Sequence, residues 1–302
     1  MPLLMPLGEC ARTGISRTPT LGSTRSRTRG YRPRMFRSAC VSTLLALAAC
    51  VCTVADGAQP LAEDQVRGAE FLDGLSVPAP GELFAAFGKI GKPDWAAFFR
   101  KQPPAPHTSR PLIALNLGTR IADGFLAAEA QDRQQVKNIS MEIKVLAKSL
   151  GLEQEFMARS NSIADFADNR RWDALDEELD AVQSELAAAM TARSDAELVT
   201  LMSLGCWLRS VDIAAALLAT EYTPEGAKVL RLPAVADFFA TRLDALPAKI
   251  KTLPAIAEIR RRLPALGATL SLPAATPASA ETVAGIHDLT AAMIRIISAP
   301  EK

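Results

Sequence analysis

The chain has 302 residues, of which 49% are hydrophobic and only 5% aromatic, and its formal net charge is +1. This apolar content suffices for a packed core, and because much of it is Ala and Leu it favours helices over sheets. The charge is uneven, since residues 1–58 carry +6 and residues 59–302 carry −5. A mildly acidic body lacks the basic footprint that phosphate binding needs, so no nucleic-acid partner is expected.

An uncharged apolar stretch from residue 39 to 55 predicts an export signal. It is short for a membrane span but fits the apolar region of a secretory signal. Met35 lies just upstream and is followed by Arg37, so we expect translation to start at Met35 rather than at Met1. If Met1 is the start, the Arg- and Ser-rich leader resembles an organelle transit peptide. No Arg-Arg pair precedes the stretch, so a twin-arginine signal is not supported.

Two cleavage sites in this signal are open. Residues 47–50, Leu-Ala-Ala-Cys, resemble the lipobox of bacterial lipoproteins, in which Cys50 would become the lipidated first residue. Residues 53–55, Thr-Val-Ala, instead offer small side chains for ordinary signal peptidase cleavage before Asp56. Both routes remove the signal. The sequence therefore predicts a periplasmic protein or one anchored by a lipid to the outer membrane, with no other membrane contact.

The body divides into three predicted parts, which are residues 59–108, 109–250 and 251–302. In the first part, Val66, Phe71 and Leu72 indicate a short helix, and two more aromatic helices follow prolines that can open a helix without cost. We expect these short helices to pack on the main domain like a clasp. A Pro-rich linker then ends the first part.

Apolar residues in the main domain recur every three and four positions, which is typical of amphipathic and buried helices. Asp132 is predicted to cap one helix and Gly151 to end it. In the last part, prolines are expected to divide the chain into short pieces before a final helix that begins at Ser279. The predicted helices of the main domain cover residues 112–131, 133–150, 153–168, 172–189 and 198–220, and two further ones start at Pro224 and Pro233.

The fold class that follows is all-α, a multi-helix bundle or a short α-solenoid, because no stretch alternates with period two long enough to suggest a strand. Polar breaks at residues 128–136 and 166–175 resemble the helix-turn-helix rhythm of tetratricopeptide-type repeats, whose period is about 34 residues. This resemblance covers two units and lacks the large–small signature of that repeat. It implies stacked helix pairs.

The stretch Leu198–Thr220 is apolar almost all round, so a helix there must be covered on most sides. Its length would allow a membrane span, but Arg209 and Asp212 near its centre favour a buried helix of a soluble fold. A similar pattern, Leu-Gly followed by Arg-x-x-Asp, occurs in the first long helix with Arg120 and Asp123.

Buried charges need partners, so these four residues are the candidate site. One interpretation is local ion pairing within each helix. Another is that the two helices pack at their glycines and share a buried charge network, Arg120 with Asp212 or Arg209 with Asp123. The third is a binding pocket that uses the same side chains.

Motifs for catalysis or metal binding are absent from the sequence. Neither His107 nor His287 has the Glu three residues earlier that a di-iron bundle needs, and HExxH, CxxC, EF-hand, phosphate-loop and GxSxG patterns do not occur. The acidic run at residues 173–180 is interpreted as the solvated face of a helix. We therefore expect no cofactor, no metal and no enzymatic activity.

The function predicted from these observations is that of an exported bacterial envelope protein with a non-catalytic binding or scaffold role. Its expected partners are other envelope proteins, and the pattern assigns no oligomeric state. The alternative is a small-molecule-binding protein, with a hydrolase less favoured, that uses a charged pocket between the two central helices.

Overall fold

The computed structural model describes residues 70–72, 75–101, 105–271 and 276–301. These residues form a bundle of α-helices, preceded by a hairpin of two three-residue strands. The predicted all-α bundle is thereby confirmed for the described part. The predictions for residues 1–58, including the start codon, the export signal and lipidation at Cys50, lie outside the described residues.

The helices follow one another closely along the chain. A short 3-10 helix at Trp95–Phe98 stands between the first two α-helices. The α-helices are α1 (Pro80–Ile90), α2 (Arg110–Glu129), α3 (Arg133–Ser149), α4 (Glu153–Asp168), α5 (Trp172–Ala192), α6 (Ala196–Thr220), α7 (Pro224–Val229), α8 (Pro233–Ala245), α9 (Ala248–Lys251), α10 (Pro254–Leu270) and α11 (Ala280–Ser298).

The hairpin corrects the prediction of a helix around Phe71 and Leu72. These residues belong to β1 (Glu70–Leu72), which pairs antiparallel with β2 (Leu75–Val77) so that Leu72 lies opposite Leu75. The two residues between the strands are Asp-Gly in the sequence, a pair strongly preferred in two-residue hairpin turns. This turn signal outweighs three apolar residues at helical spacing.

A second correction concerns Pro264, which does not break the chain into short pieces but lies inside α10. Proline removes one backbone hydrogen bond and crowds the preceding turn. Pro264 is exposed, so water can reach the carbonyl that loses its partner. The helix continues because its apolar side, including Ile259, Leu263 and Leu266, stays buried across the proline.

Four consecutive connections, from α2 to α6, share one turn geometry. Each contains a single residue of positive φ, namely Gln131, Gly151, Arg170 or Ser194. At each turn the N–H of this residue bonds the carbonyl three positions earlier, and the next N–H bonds the carbonyl five positions before it. This is the Schellman arrangement that satisfies the last carbonyls of a helix. The helix pairs α2–α3 and α4–α5 are therefore connected by the same type of turn.

Helices α2 and α6 form the centre of the bundle and run parallel. Arg110 contacts Asp195 near their first residues, and Asp123 contacts Arg209 farther along both helices. Helix α6 is the one described helix long and apolar enough to cross a membrane, yet 94% of its apolar window is buried in the bundle. Helix α11 packs antiparallel to both helices, with Ile297 against Asn116 of α2 and Thr290 against Asp212 of α6.

Candidate functional site

Two glycines allow the central helices to approach closely. A Cβ atom added to Gly118 would lie 1.8 Å from the backbone oxygen of Met202, and one added to Gly205 would lie 2.1 Å from that of Leu115. Both distances are far below van der Waals contact, so only glycine fits at either position. This approach sets the spacing at which side chains one turn farther along α2 and α6 can pair.

Asp123 lies at the centre of a buried charge network and receives hydrogen bonds from three arginines. Its Oδ2 accepts from Nε and Nη2 of Arg100 at 2.8 and 2.5 Å, and from Nη1 of Arg120 at 2.8 Å. Its Oδ1 accepts from Nε of Arg209 at 2.8 Å. One carboxylate therefore joins α2, α6 and the segment that follows the 3-10 helix.

The second half of the network is built around Asp212 on α6. Its Oδ2 accepts from Nη1 of Arg209 at 2.6 Å. Its Oδ1 accepts from the hydroxyl of Thr290 at 3.3 Å and lies 3.4 Å from Nδ1 of His287. Both of these partners are on α11, so Asp212 ties the last helix to the central pair.

Each of the three arginines also contacts a residue other than Asp123 and Asp212. Arg120 Nε lies 2.7 Å from a carboxylate oxygen of Glu142 on α3. Arg100 Nη1 donates to the Ser298 hydroxyl at 3.0 Å, and Arg209 Nη2 donates to the Phe98 carbonyl at 2.8 Å. These bonds connect the segment of residues 98–100 and helices α3 and α11 to Asp123 and Arg209.

The network is almost closed to solvent and electrically balanced. Arg120, Asp123, Arg209 and Asp212 are between 2% and 6% exposed. Three guanidinium groups face three carboxylates, those of Asp123, Asp212 and the partly exposed Glu142. Balance matters because an uncompensated charge at such a depth would cost several kcal/mol.

The partners, rather than burial, set the ionisation of these groups. Burial alone would raise the pKa of Asp123, but the charges of Arg100, Arg209 and Arg120 outweigh it and hold that pKa well below its usual range. Burial and the neighbouring arginines lower the pKa of Arg100 to about 10, so it stays charged at neutral pH. Asp123 and Arg100 are thus both ionised at pH 7.

At the edge of the network, Asp212 and His287 shift each other. Desolvation would raise the pKa of Asp212, but the imidazole of His287 at 3.4 Å and the guanidinium of Arg209 outweigh it, so this pKa is lowered. The pKa of His287 is raised, mainly because the Asp212 carboxylate lies 3.4 Å from Nδ1, and against partial burial. The imidazolium form of His287 is therefore favoured beside this carboxylate.

All four candidate residues from the sequence meet in this network. Arg209 pairs with Asp123 across the helices and with Asp212 within α6, so both the local and the shared ion pairs exist together. Arg120 pairs with Asp123 and with Glu142 on α3.

Arg100, Glu142, His287 and Thr290 belong to the network but were not predicted. Arg100 follows the apolar aromatic residues Trp95, Phe98 and Phe99 in the sequence. That position could have indicated that its side chain points toward the core. The other three lie on amphipathic helices, where polar residues are expected at the surface, so the sequence carries no comparable signal for them.

A second group of charged residues, which we term the acidic cluster, lies where α1, α2 and α5 meet. Its members are Glu82, Glu129, Asp173, Asp176 and Asp180. Burial, reinforced by neighbouring carboxylates, raises the pKa values of Asp176 and Asp180 to about 7. Oδ1 of Asp176 is buried without a hydrogen-bond partner among the described residues. The run was predicted to be the solvated face of a helix; Asp173 and Glu177 are exposed, whereas Asp176 and Asp180 are only partly exposed.

The chemistry open to the buried network is limited by its own pairing. None of five surface clefts formed by described residues is lined by Arg120, Asp123, Arg209 or Asp212. Within the described ranges, no group of three or more His, Cys, Asp or Glu side chains is arranged to hold a metal ion. The arrangement is suited to fixing helices in place.

Comparison with known proteins adds no relative, since no protein-family model, curated protein or solved structure matches the chain.

Proposed function

We propose that the chain is an exported bacterial envelope protein with a non-catalytic binding or scaffold role. The observation that carries the proposal is the charge network, in which three arginines and three carboxylates satisfy one another inside the bundle. Groups held in this way stabilise a rigid framework and are not presented to a substrate. A rigid helical framework with a charged surface suits protein partners.

The export part of the proposal is supported by the N-terminal sequence. The uncharged stretch at residues 39–55 follows a short basic region, as in secretory signals. Every described helix begins after Asp56, so cleavage at Cys50 or before Asp56 would leave all of them intact. The mature protein is thus expected in the periplasm or on the outer membrane through a lipid.

A short-solenoid description of α2–α5 belongs to the same proposal. Its support is the repeated Schellman turn, whose positive-φ residues Gln131 and Arg170 stand one helix pair apart. Stacked helix pairs of this kind form extended surfaces for partner proteins. The alternative, a small-molecule pocket around Arg120, Asp123, Arg209 and Asp212, has less support because these side chains are occupied by one another.

Cell fractionation with N-terminal analysis of the mature protein tests the export proposal. We expect a processed chain in the envelope fraction that starts at Asp56 or at a lipidated Cys50. The Cys50→Ala variant separates the two, since it blocks lipidation but leaves signal peptidase cleavage possible. An unprocessed chain in the cytoplasm would contradict the proposal.

Crosslinking in intact cells tests the binding role separately from export. A scaffold should give discrete crosslinked species with other envelope proteins, and these should persist when the crosslinker length is changed. The Cys50→Ala variant serves as a control if the protein is lipidated, because loss of the anchor changes which neighbours are available. A processed protein that remains uncrosslinked under every condition would count against the scaffold role while leaving export in place.

A further inference from the structure

Residues 94–101, which we term the Arg100 segment, are attached to the bundle mainly through side chains. The backbone–backbone hydrogen bonds that this segment makes with described residues stay inside it, as those of the Ala97 and Phe99 N–H groups do. Trp95 is its one buried residue, and its ring centroid lies 5.5 Å from that of Phe84. A segment with so few backbone and apolar ties can open while the helices stay folded.

The place that Arg100 fills is shaped for a guanidinium group. Its Nε and Nη2 donate to Oδ2 of Asp123 at 2.8 and 2.5 Å, and its Nη1 donates to the hydroxyl of Ser298 at 3.0 Å. Asp123 belongs to α2 and Ser298 is the last residue of α11, so both acceptors stay with the bundle when the Arg100 segment opens. We term this pair of side chains the guanidinium socket. Its acceptors match the fixed fork of donors that a guanidinium group presents and an ammonium group lacks.

The electrostatics of the guanidinium socket favour a cation. Without Arg100, Oδ2 of Asp123 loses two hydrogen bonds and keeps the one from Arg120 at 2.8 Å. The carboxylate stays ionised, because Arg120 and Arg209 still lie beside it. A buried carboxylate oxygen that lacks donors is costly. A positively charged group with several donors therefore restores what the departure of Arg100 removes.

We propose that the guanidinium socket binds an arginine side chain of a partner protein, and that Arg100 itself occupies the socket until its segment opens. Opening also breaks the bond from Nη2 of Arg209 to the Phe98 carbonyl, whereas the bonds of Arg209 to Asp123 and Asp212 remain. The contacts of α2 with α6 are thus kept in both states. The partner as the source of the arginine rests on the proposed binding role, but the preference of the socket for guanidinium does not.

Binding of three capped amino acids to the full chain with Arg100→Ala tests the socket. The substitution removes the side chain that fills it and leaves Asp123 and Ser298 in place. The probes are the acetyl methylamide derivatives of arginine, lysine and citrulline, and the last has nearly the shape of arginine without its charge. In calorimetric titrations we expect the arginine compound to bind at least about tenfold more tightly than either of the others, about one decade in Kd.

Three further variants make this result specific. Ser298→Ala, added to Arg100→Ala, removes one acceptor and should weaken binding of the arginine compound about fivefold. Arg110→Ala is the matched control, because it removes the arginine of an exposed bidentate pair with Asp195, and it should bind none of the three compounds detectably. Arg100→Lys keeps a charge beside Asp123 without the planar fork. It replaces Arg100→Ala if circular dichroism shows that the alanine variant is unfolded, and it should give the same order of the three compounds at lower affinity.

Hydrogen exchange of the wild-type chain tests the opening by itself. The hydrogen-bonded amides of Ala97 and Phe99 should exchange at least about tenfold faster than amides in the middle of α2, because the Arg100 segment opens without unfolding that helix. Their exchange should become faster still in Arg100→Ala and stay unchanged in Arg110→Ala. The arginine compound should not slow it in Arg100→Ala, since it replaces the side chain and not the segment.

The proposal is overturned in either of two ways. If the folded Arg100→Ala variant binds the three compounds equally, or does not bind the arginine compound, the socket does not recognise guanidinium. If the Ala97 and Phe99 amides of the wild type are as protected as those in the middle of α2, the segment stays closed. A socket that passes both tests while crosslinking in intact cells finds no partner would contradict the proposed binding role, and with it the source of the arginine, but not the specificity of the socket.

Discussion

The buried network around Asp123 and the acidic cluster around Asp176 place carboxylates in the same bundle with opposite outcomes. Asp123 is almost fully buried, and its pKa is lowered because three guanidinium groups surround it. Asp176 is only partly buried, yet desolvation raises its pKa to about 7 because the neighbouring charges are other acids, which reinforce the shift instead of opposing it.

The partners of a buried carboxylate decide whether it is ionised, and the extent of its burial alone does not. Paired charges hold helices together, as Asp123 does for α2, α6 and the segment that contains Arg100. Asp176 and Asp180, whose pKa values are raised, instead cost stability at neutral pH. The two regions should therefore respond to substitution and to pH in opposite directions.

Removing the central carboxylate should have the largest effect. Asp123→Asn leaves three arginines around a neutral side chain, and we expect a loss of about 3–5 kcal/mol in the free energy of unfolding. Urea denaturation at pH 7 measures it. The matched control is Asp288→Asn, at an exposed position on α11, which should stay within about 0.5 kcal/mol of the wild type. A loss below about 1 kcal/mol for Asp123→Asn would show that the network does not stabilise the bundle.

Separating α2 from α6 should have the next largest effect. Gly118→Ala places a methyl group against the backbone of α6, and the helices must move apart or distort at a cost of about 3 kcal/mol. Gly88→Ala in α1 is the control, because nothing lies within 4 Å of its added Cβ. That variant should gain about 0.5–1 kcal/mol from helix propensity. If both substitutions had the same effect, the close approach of α2 and α6 would be ruled out.

A substitution in the acidic cluster should increase the free energy of unfolding instead of lowering it. Between an ordinary pKa of 3.8 unfolded and about 7 folded, the native state holds more protons, so Asp176 lowers stability as pH rises. Asp176→Asn should therefore stabilise the protein by about 1–2 kcal/mol at pH 8, less than the full shift implies because solvent screens the site.

Urea denaturation of this variant and the wild type from pH 4 to pH 8 measures the difference. The gain should shrink as pH falls from about 7 toward 4, the window between the folded and unfolded pKa values, because near its lower end Asp176 of the wild type is protonated in both states. Glu281→Gln, at an exposed position on α11, is the control and should show no such trend. A gain of equal size at pH 4 and pH 8 would mean that titration of Asp176 is not its cause.

The smallest effect is expected at the exposed edge of the network. The pKa of His287 is raised by Asp212, so its stabilising effect is complete below its unfolded pKa of about 6.5 and is lost as pH rises through the folded value. His287→Gln should cost about 0.5 kcal/mol at pH 5.5 and nothing at pH 9, because the ring is partly exposed. Unfolding midpoints at the two pH values give the comparison, and a cost that grows with pH would have the wrong sign.

Much of the helical layout could be predicted from local signals. The bounds of α4 agree with the prediction at both ends, and Asp132 caps α3 through its bond to the Gln135 amide. Thr223 and Ser279 cap the helices that were predicted to start beside them. The paired Leu-Gly and Arg-x-x-Asp patterns also located the close approach of α2 and α6. These features depend on residues within one or two turns of each other.

The wrong predictions occur where a turn signal or tertiary packing outweighs the local pattern of apolar residues, prolines or charges. Phe71 and Leu72 have apolar spacing that a helix could use, but the Asp-Gly pair after them favours a hairpin. Pro264 would break an isolated helix, yet burial of the apolar face of α10 keeps that helix continuous. Asp176 lies on a polar helix face, where solvent exposure is expected, yet tertiary packing leaves it only partly exposed.

Helix periodicity and the cost of burying a charge are local properties, so the sequence alone predicts most of the helices, three of their N-caps and the need for Arg209 and Asp212 to find partners. Only the tertiary structure decided which partners they find. Arg209 is 86 residues from Asp123 in the chain, and Asp212 is 78 residues from Thr290. Pairs so far apart are set by the packing of α2, α6 and α11, which no local pattern encodes.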